Sequence, residues 1–528
     1  MQTRHFNFDM TIKYKSVFIK HTISTAVLCL SGCSFAPKYE APITLNTITN
    51  SWSTNPWIEA QPSDHVDKGQ WWRVFGDESL NDLEETLNKQ SPSLAIALAR
   101  YDQATAYLKQ AQSAELPSID ASESTTQNRQ SLNRPLRGSN QPNYYNAYTG
   151  MLATSYELDF WGRVRNLVSA AKAQAQASAA DLQTEKLSLQ SKVAELYFEL
   201  RGVDNQIVMF DNAIQAYKRA YDLIARRYDV GVASGIDLAR AHTQLNSALA
   251  EASELRVQRG VFEHAIAVLI GEAPQTFKVK PLDAESRNIV ALATPDTELN
   301  VNSTRSAEFF KTTTATAFIN PVKTPEVPLG LPSTLLERRP DVAAAERKMA
   351  AANKRIGVAK AAFYPSFSIG ASAGYQNTGG PDWMSQPNSF WSIGPTGTLN
   401  LLDGGLREAQ LIQAKAALVQ ATAEYRLVVL TAFQQVEDSV NKLQEYKEEI
   451  NYRSNAANAA LKAMQLATSR YKDGAVNYLE VVTAQTAALQ AERSYIVLDT
   501  SRRLSSIQLI KALGGGWNEE RLKIEQDN

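Results

Sequence analysis

Cysteine is nearly missing from this chain: among 528 residues there are two, Cys29 and Cys33, both close to the N-terminus. A disulfide framework and a cysteine-based metal site in the body of the chain are thereby excluded. An excess of one charge is missing too. Lys plus Arg number 54 against 55 Asp plus Glu, a net charge of −1. No basic surplus points to nucleic acid, and no acidic block points to a disordered tail. Continuous apolar runs of about 18 residues are absent, which argues against a spanning helix in the mature protein. Membrane β-strands are untouched by that argument, because their alternation hardly raises the mean hydropathy, here −0.30. The five histidines, His5, His21, His65, His242 and His264, form no metal-ligand cluster. Walker loops, dinucleotide glycine patterns and GxSxG elbows are also lacking. Scattered Asp and Glu at helical spacing read as a solvated face. Nothing in the residues calls for enzymatic chemistry, a cofactor or a resident metal.

What the chain does have begins at its N-terminus. Lys13, Lys15 and Lys20 precede a short apolar stretch from Thr22 to Leu30, which ends in Leu30-Ser31-Gly32-Cys33. A basic region, a short apolar core and small residues before a cut make a bacterial export signal over residues 1–32. The ending resembles a lipobox, so Cys33 is expected to be the acylated first residue of the mature protein. Ser34 in the following position favours the outer membrane over inner-membrane retention.

The rest of the chain repeats. Ser91-Pro92-Ser93-Leu94 opens a helical segment closing at Leu116-Pro117-Ser118, and Arg339-Pro340-Asp341-Val342 opens another closing at Tyr364-Pro365-Ser366. Both proline pairs are offset by roughly 248 residues. Arg227-Tyr228-Asp229-Val230-Gly231 matches Arg470-Tyr471-Lys472-Asp473-Gly474, and Ile236-Asp237-Leu238 matches Leu479-Glu480-Val481. An ordered set of matches means a tandem duplication. Domains are expected at 33–90 (lipidated segment), 91–274 (first repeat), 275–330 (linker), 331–513 (second repeat) and 514–528 (tail). Each repeat holds a long stretch nearly free of helix breakers. Leu406 to Asp473 has neither Gly nor Pro, and Val164 to Val230 has Gly202 alone. An unbroken helix of that length is about 100 Å long. The series Leu443, Tyr446, Ile450, Arg453, Ala457, Ala460, Met464, Ala467 and Tyr471 alternates steps of three and four, a coiled-coil seam. Turns at Gly231 and Gly474 return the chain into second helices, and the Gly514-Gly515-Gly516 run reads as a helix stop.

Between the proline pairs and the long helices lie strand patterns. Phe367, Ile369, Ala371, Ala373 and Tyr375 alternate with small or polar residues, as do Trp391, Ile393, Leu399 and Leu401; Tyr144, Tyr148, Leu152 and Tyr156 share one face. Apolar-out, polar-in strands of about ten residues are a membrane-barrel pattern, with Ile369 and Ile393 expected to face lipid and Ser368 the lumen. Soluble hairpins on a coiled coil fit the same pattern. Two strands per repeat make four per chain, too few to close a barrel of about eight or more, so several chains must share one.

These residues together resemble the TolC-like outer-membrane efflux family, and more narrowly its lipoprotein branch serving RND-type tripartite pumps (NodT/OprM-like). The most specific stretch is Leu331-Pro332-Ser333-Thr334-Leu335-Leu336-Glu337-Arg338-Arg339-Pro340-Asp341-Val342, continuing into Ala362-Phe363-Tyr364-Pro365-Ser366. Tyr156-Glu157-Leu158-Asp159-Phe160-Trp161-Gly162-Arg163 and Leu513-Gly514-Gly515-Gly516-Trp517 support it. The resemblance implies a mostly α protein with membrane β: a homotrimer with a periplasmic α-barrel and a twelve-stranded outer-membrane β-barrel completed by four strands per chain. It implies passive conduction, a periplasmic adaptor (membrane fusion) protein, an inner-membrane RND-type pump, and no nucleic acid. The tips at Gly231 and Gly474 then close the resting pore, with Tyr471, Asp237 and Glu480 as gate candidates. Thr483 and Val476 depart from an acidic and a basic position of better-known relatives, so a different polar latch is expected. Asp237 and Glu480 equally suit helix N-termini, where the dipole favours an anion. A type I secretion duct and a pore-free periplasmic scaffold remain the alternatives.

Overall fold

A computed structural model describes residues 35–38, 69–131, 142–281, 339–379 and 382–515. Cys33 lies outside the described residues, as do the signal, much of 33–90, nearly all of the 275–330 linker, 331–338 and the tail from Gly516.

The elements run α1 (Glu78–Gln90), α2 (Pro92–Ser113), β1 (Ser118–Arg129), β2 (Tyr144–Leu158), α3 (Arg163–Asp229), α4 (Gly235–Ile270), α5 (Pro340–Ala361), β3 (Ser366–Asn377), β4 (Ser389–Thr398), α6 (Leu406–Lys472) and α7 (Tyr478–Ala512). Duplication shows in their lengths. α2 and α5 have 22 residues each, β1 and β3 have 12 each, and α3 and α6 have 67 each. Pro92 and Pro340 are the first residues of their helices, where a missing N–H costs nothing. α3 and α6 start alike: Asp159 accepts from the Val164 and Arg165 N–H groups at 3.0 and 2.9 Å, and Asp403 from Gly405 and Arg407 at 3.1 and 3.3 Å.

The described residues divide into two compact units, each drawn from both repeats. One takes in the described residues within 35–38, 100–131, 142–179, 344–379 and 382–426. It contains a four-stranded antiparallel sheet in the order β1-β2-β3-β4. The register sets Ile119, Thr154, Ala371 and Ile393 in one cross-strand row and Ala121, Leu152, Ala373 and Trp391 in the next, with Tyr156, Ile369 and Pro395 beyond. All of these share one face, because paired residues point the same way and alternate along each strand. Ser118, Ser122, Ser155, Ser368, Ser372 and Ser392 lie on the other, where Ser372 and Ser392 hydroxyls meet at 2.8 Å. Pro395 lies on β4, the last strand of the sheet among the described residues. One expectation is corrected: β4 stops at Thr398, so Leu399 and Leu401 lie past the strand. The last pair is Ser366 with Thr398, and β3 offers no residue beyond it to pair.

The same unit holds the chain just after Cys33. Phe35 stacks on Tyr364 at 4.6 Å, and Tyr364 on Trp161 at 4.9 Å. The Trp161 indole donates to the Pro365 carbonyl at 2.7 Å, and the Asn353 amide donates to the Pro37 carbonyl at 2.9 Å. A side chain at Gly357 would fall 2.9 Å from the Ala36 nitrogen, so glycine there admits this segment.

The other unit takes in the described residues within 69–99, 180–281, 339–343 and 427–515. Its main core gathers Trp72, Leu80, Leu87, Tyr197, Phe198 and Ile266 among others. A chain of polar contacts runs beside it. Asp77 caps α1 and accepts from the Tyr197 hydroxyl at 2.7 Å; Arg201 joins Tyr197 to Asp204; Arg259 joins Asp204 to Glu263, both at 2.6 Å. Glu263 also accepts from Lys278 and from the Val279 N–H, tying the segment after α4 to the helix. Burial alone would raise the Glu263 carboxyl, but Lys278, Val279 N–H and Arg259 outweigh it and hold the group below its usual range. Arg339 forks onto Asp341 and donates to the Ala512 carbonyl at 2.9 Å and to Gln435 at 3.0 Å, which pins the end of α7.

Two further expectations need adjustment. An 18-residue stretch of α6 has mean hydropathy 1.2, so one helix does reach the composition of a membrane span. Leu418, Val419, Leu427, Val428, Val429 and Leu430 raise its mean, while Gln420, Glu424 and Arg426 keep it from being a continuous apolar run. Along the predicted seam Ala457 and Ala467 are buried and most others half-buried, whereas Arg453 is exposed and bonded to Glu449 at 2.9 Å.

Candidate functional site

The two long helices end in the same turn. At Gly231 (φ 75°) the N–H groups of Gly231 and Val232 reach the Tyr228 and Arg227 carbonyls at 2.9 and 2.8 Å. At Gly474 (φ 74°) those of Gly474 and Ala475 reach Tyr471 and Arg470 at 3.1 and 2.8 Å. Both are Schellman motifs, in which a left-handed residue lets the last carbonyls of the helix find donors. A Cβ at either glycine would meet nothing within 4 Å, so the requirement is conformational only.

Each turn leads into a capped helix. The Ser234 hydroxyl accepts from the Asp237 N–H at 3.2 Å and donates to the Asp237 carboxylate at 2.8 Å; Asn477 accepts from the Glu480 N–H at 3.2 Å. Asp237 and Glu480 therefore occupy equivalent first-turn positions, where the helix dipole favours an anion. Beyond that they differ. Asp237 faces Arg240 at 3.8 Å, whereas the exposed Glu480 has no side-chain partner among the described residues.

Tyr471 packs sideways within the tip. Its ring lies 5.4 Å from that of Tyr478 and 5.4 Å beneath the Arg227 guanidinium. Its hydroxyl makes no hydrogen bond among the described residues. Tyr478 is 2% exposed and belongs to the tip core with Ile224, Ala241, Ala467 and Val481. Burial, with smaller contributions from Tyr471, Tyr217 and Asp237, pushes its phenol up to about 12. Tyr478 thus feels two of the expected gate residues, Tyr471 by ring contact and Asp237 by charge, although no bond between Tyr471 and Asp237 is found among the described residues. Tyr478 is not among the gate candidates that the sequence offers. Its signal is the mismatch between repeats: Gly235 holds the matching place, and the Tyr228 ring edge lies 3.6 Å from where its Cβ would be. Arg227 is marked in the sequence by the repeat, but not as a neighbour of Tyr471. Of the two departures from better-known relatives, Thr483 turns its hydroxyl back to the Leu479 carbonyl at 2.9 Å, and Val476 is half-buried.

This architecture has known counterparts. A family model for outer membrane efflux proteins matches residues 83–272 and 331–515. The antibiotic efflux pump outer membrane protein ArpC of Pseudomonas putida is 28% identical over 508 residues, covering 96% of this chain and 97% of that protein. Outer membrane protein OprJ of Pseudomonas aeruginosa is 28% identical over 497 residues, covering 94% and 95%. The crystal structure of VceC from Vibrio cholerae shares the fold with a TM-score of 0.71 and 26% identity, over 87% of this chain and all of that one. Matched in both of its repeats, this chain belongs to the outer membrane efflux protein family.

Proposed function

We propose that this protein is the outer-membrane channel of a tripartite efflux pump: a homotrimer, anchored in the outer membrane by lipid on Cys33. It conducts substrates passively to the exterior, and an inner-membrane RND-type pump supplies the energy through a periplasmic adaptor. The observation that carries the reading is the sheet. One face bears Ile119, Leu152, Tyr156, Ile369, Trp391 and Ile393, all exposed, and the opposite face is serine-rich. Its outer edges, on β1 and β4, have no partner strand among the described residues. A two-faced sheet with open edges is stable in a bilayer only as part of a closed barrel. Three copies provide twelve strands, within the known range of such barrels.

The tips are the gate in this reading. Long helices around an axis need a constriction at their free ends, or the outer membrane would leak continuously. Tyr471 offers an unengaged hydroxyl and Glu480 an unengaged carboxylate, suited to partners on neighbouring subunits, while Asp237 acts on Tyr478 by charge. The test is conductance in planar bilayers. Tyr471→Phe combined with Asp237→Ala removes charge-assisted contacts of about 1–3 kcal/mol. The double variant is expected to conduct more than wild type and to sensitise cells to large antibiotics. A stable trimeric variant with unchanged conductance would place the gate elsewhere.

A further inference from the structure

Behind the second turn, α3, α6 and α7 of one chain enclose a cavity of about 250 Å³. Much of its wall is apolar, including Ala213, Ala220, Ile224, Val481 and Ala488. Set into that wall are three phenol rings, Tyr217, Tyr471 and Tyr478, and two buried polar side chains, Gln485 and Glu492, with Thr468 and the exposed Arg219 and Lys472 also lining it. Both polar side chains are 7% exposed. The Gln485 carbonyl oxygen has no hydrogen-bond partner, and among the described residues no cation pairs with Glu492.

The charged and titratable groups around Glu492 are Tyr217 and Arg219 on α3, Tyr471 and Lys472 on α6, and Tyr478 and Tyr495 on α7. Arg219 and Lys472 are exposed, and Arg493, next to Glu492 in the chain, reaches Glu251 at 3.3 Å instead. A carboxylate enclosed without a counter-charge is unfavourable, as is an enclosed carbonyl without a donor. Aromatic faces are electron-rich and attract cations. A bare metal ion would find too few oxygen donors and would leave the alanine wall uncovered. A neutral apolar molecule would leave both polar groups unsatisfied.

We propose that this cavity is a binding site for a small organic ammonium ion, its head against Glu492 and the neighbouring Tyr217 ring, its apolar body along the alanines toward Gln485. The site is intrachain, and the proposal stands whether or not the tips gate a pore. Burial raises the Glu492 carboxyl from its usual 4.5 to about 7. The ionised form is the one a cation prefers, so affinity rises as pH rises through that value.

The test is calorimetric titration of the full-length protein in non-ionic detergent, with phenethylammonium as the cation and phenethyl alcohol as its neutral counterpart. Saturable binding of the amine is expected, tighter at about pH 8 than at pH 6, since Glu492 ionises between them. Glu492→Gln should weaken the amine about tenfold at the higher pH and leave the alcohol unchanged, the size of one cation–carboxylate contact at a partly buried site. Ala220→Leu, which puts a side chain into the cavity, should remove amine binding while helical circular dichroism stays as in wild type. The proposal is overturned if the amine shows no saturable binding, if Glu492→Gln binds it as tightly as wild type, or if the alcohol binds equally well.

Discussion

Gly202, the lone glycine within α3, earns its place by what faces it. A Cβ there would fall 2.4 Å from the Thr500 hydroxyl oxygen and 3.0 Å from its methyl group, so α3 and α7 approach at this point closer than any side chain allows. Glycine inside a helix costs about 1 kcal/mol relative to alanine, so on propensity alone Gly202→Ala should stabilise. Crowding against Thr500 reverses the sign, and overpacking of this kind costs about 1–3 kcal/mol. Gly202→Ala is expected to lower the midpoint of thermal unfolding, and adding Thr500→Ala to recover most of the loss. At the other extreme of legibility stands Cys33, which rests on the lipobox alone. Cys33→Ala should abolish palmitate labelling, and labelling that persists in the variant would refute the anchor. Sequence showed Gly202 as an exception to a pattern but gave no reason for it, because the reason sits on a helix almost three hundred positions away. Tyr478 was invisible for a related cause: a tyrosine after a cap carries no sign of burial until its neighbours are known.

Among elements, helices were read more fully than strands. Their limits are set by local chemistry, with proline at the first residue, Asp or Ser at the cap and glycine at φ near 75°, and each of these is a residue type in a fixed place. β1 is different. Glu123, Thr125 and Gln127 fall on the face that Ile119 and Ala121 begin and interrupt any simple apolar alternation, and the strand exists because β2 pairs with it along its full length. The end of β4 was likewise fixed by the partner strand rather than by its own apolar residues. The register now gives the strand argument a sharp test. Ile369 lies on the apolar face between Tyr156 and Pro395, and Ser368 lies on the polar face. A basic residue at mid-depth on a lipid face costs about 2–4 kcal/mol, and far less facing water. Ile369→Arg should reduce the trimer recovered from outer-membrane fractions, with Ser368→Arg close to wild type on the same gels. Equal yields from the two would count against a lipid-facing sheet.

For the whole molecule, the open edges make the strongest demand. If three sheets close one barrel, β4 of each copy pairs with β1 of the next. Cysteines at Ser122 on β1 and at Ser392, Gly394 or Thr396 on β4 all lie on the polar face. With Cys33 itself acylated, one of these pairs should form covalent trimers on non-reducing gels in the double variants, with none in either single variant. Absence of cross-links for every pair, in protein that still conducts, would mean a different closure. Unboiled wild-type protein should migrate as a trimer and collapse to monomer on heating. What pattern alone left open here, a pore or a soluble scaffold, was decided by family membership, since alternation in a short strand looks the same in both.

Equal helix lengths also constrain how such a protein can change over generations. One residue added within α3 or α6 rotates everything after it by about 100°, turning packed side chains outward. Only insertions that restore phase, of about seven or eleven residues, keep the seam. A lengthened outgoing helix must be matched in the helix that returns beside it. Both repeats keep 67 residues outward, with 36 and 35 on the return. Drift by single residues is therefore confined to the loops, and the helical part can grow or shrink only in whole, paired steps.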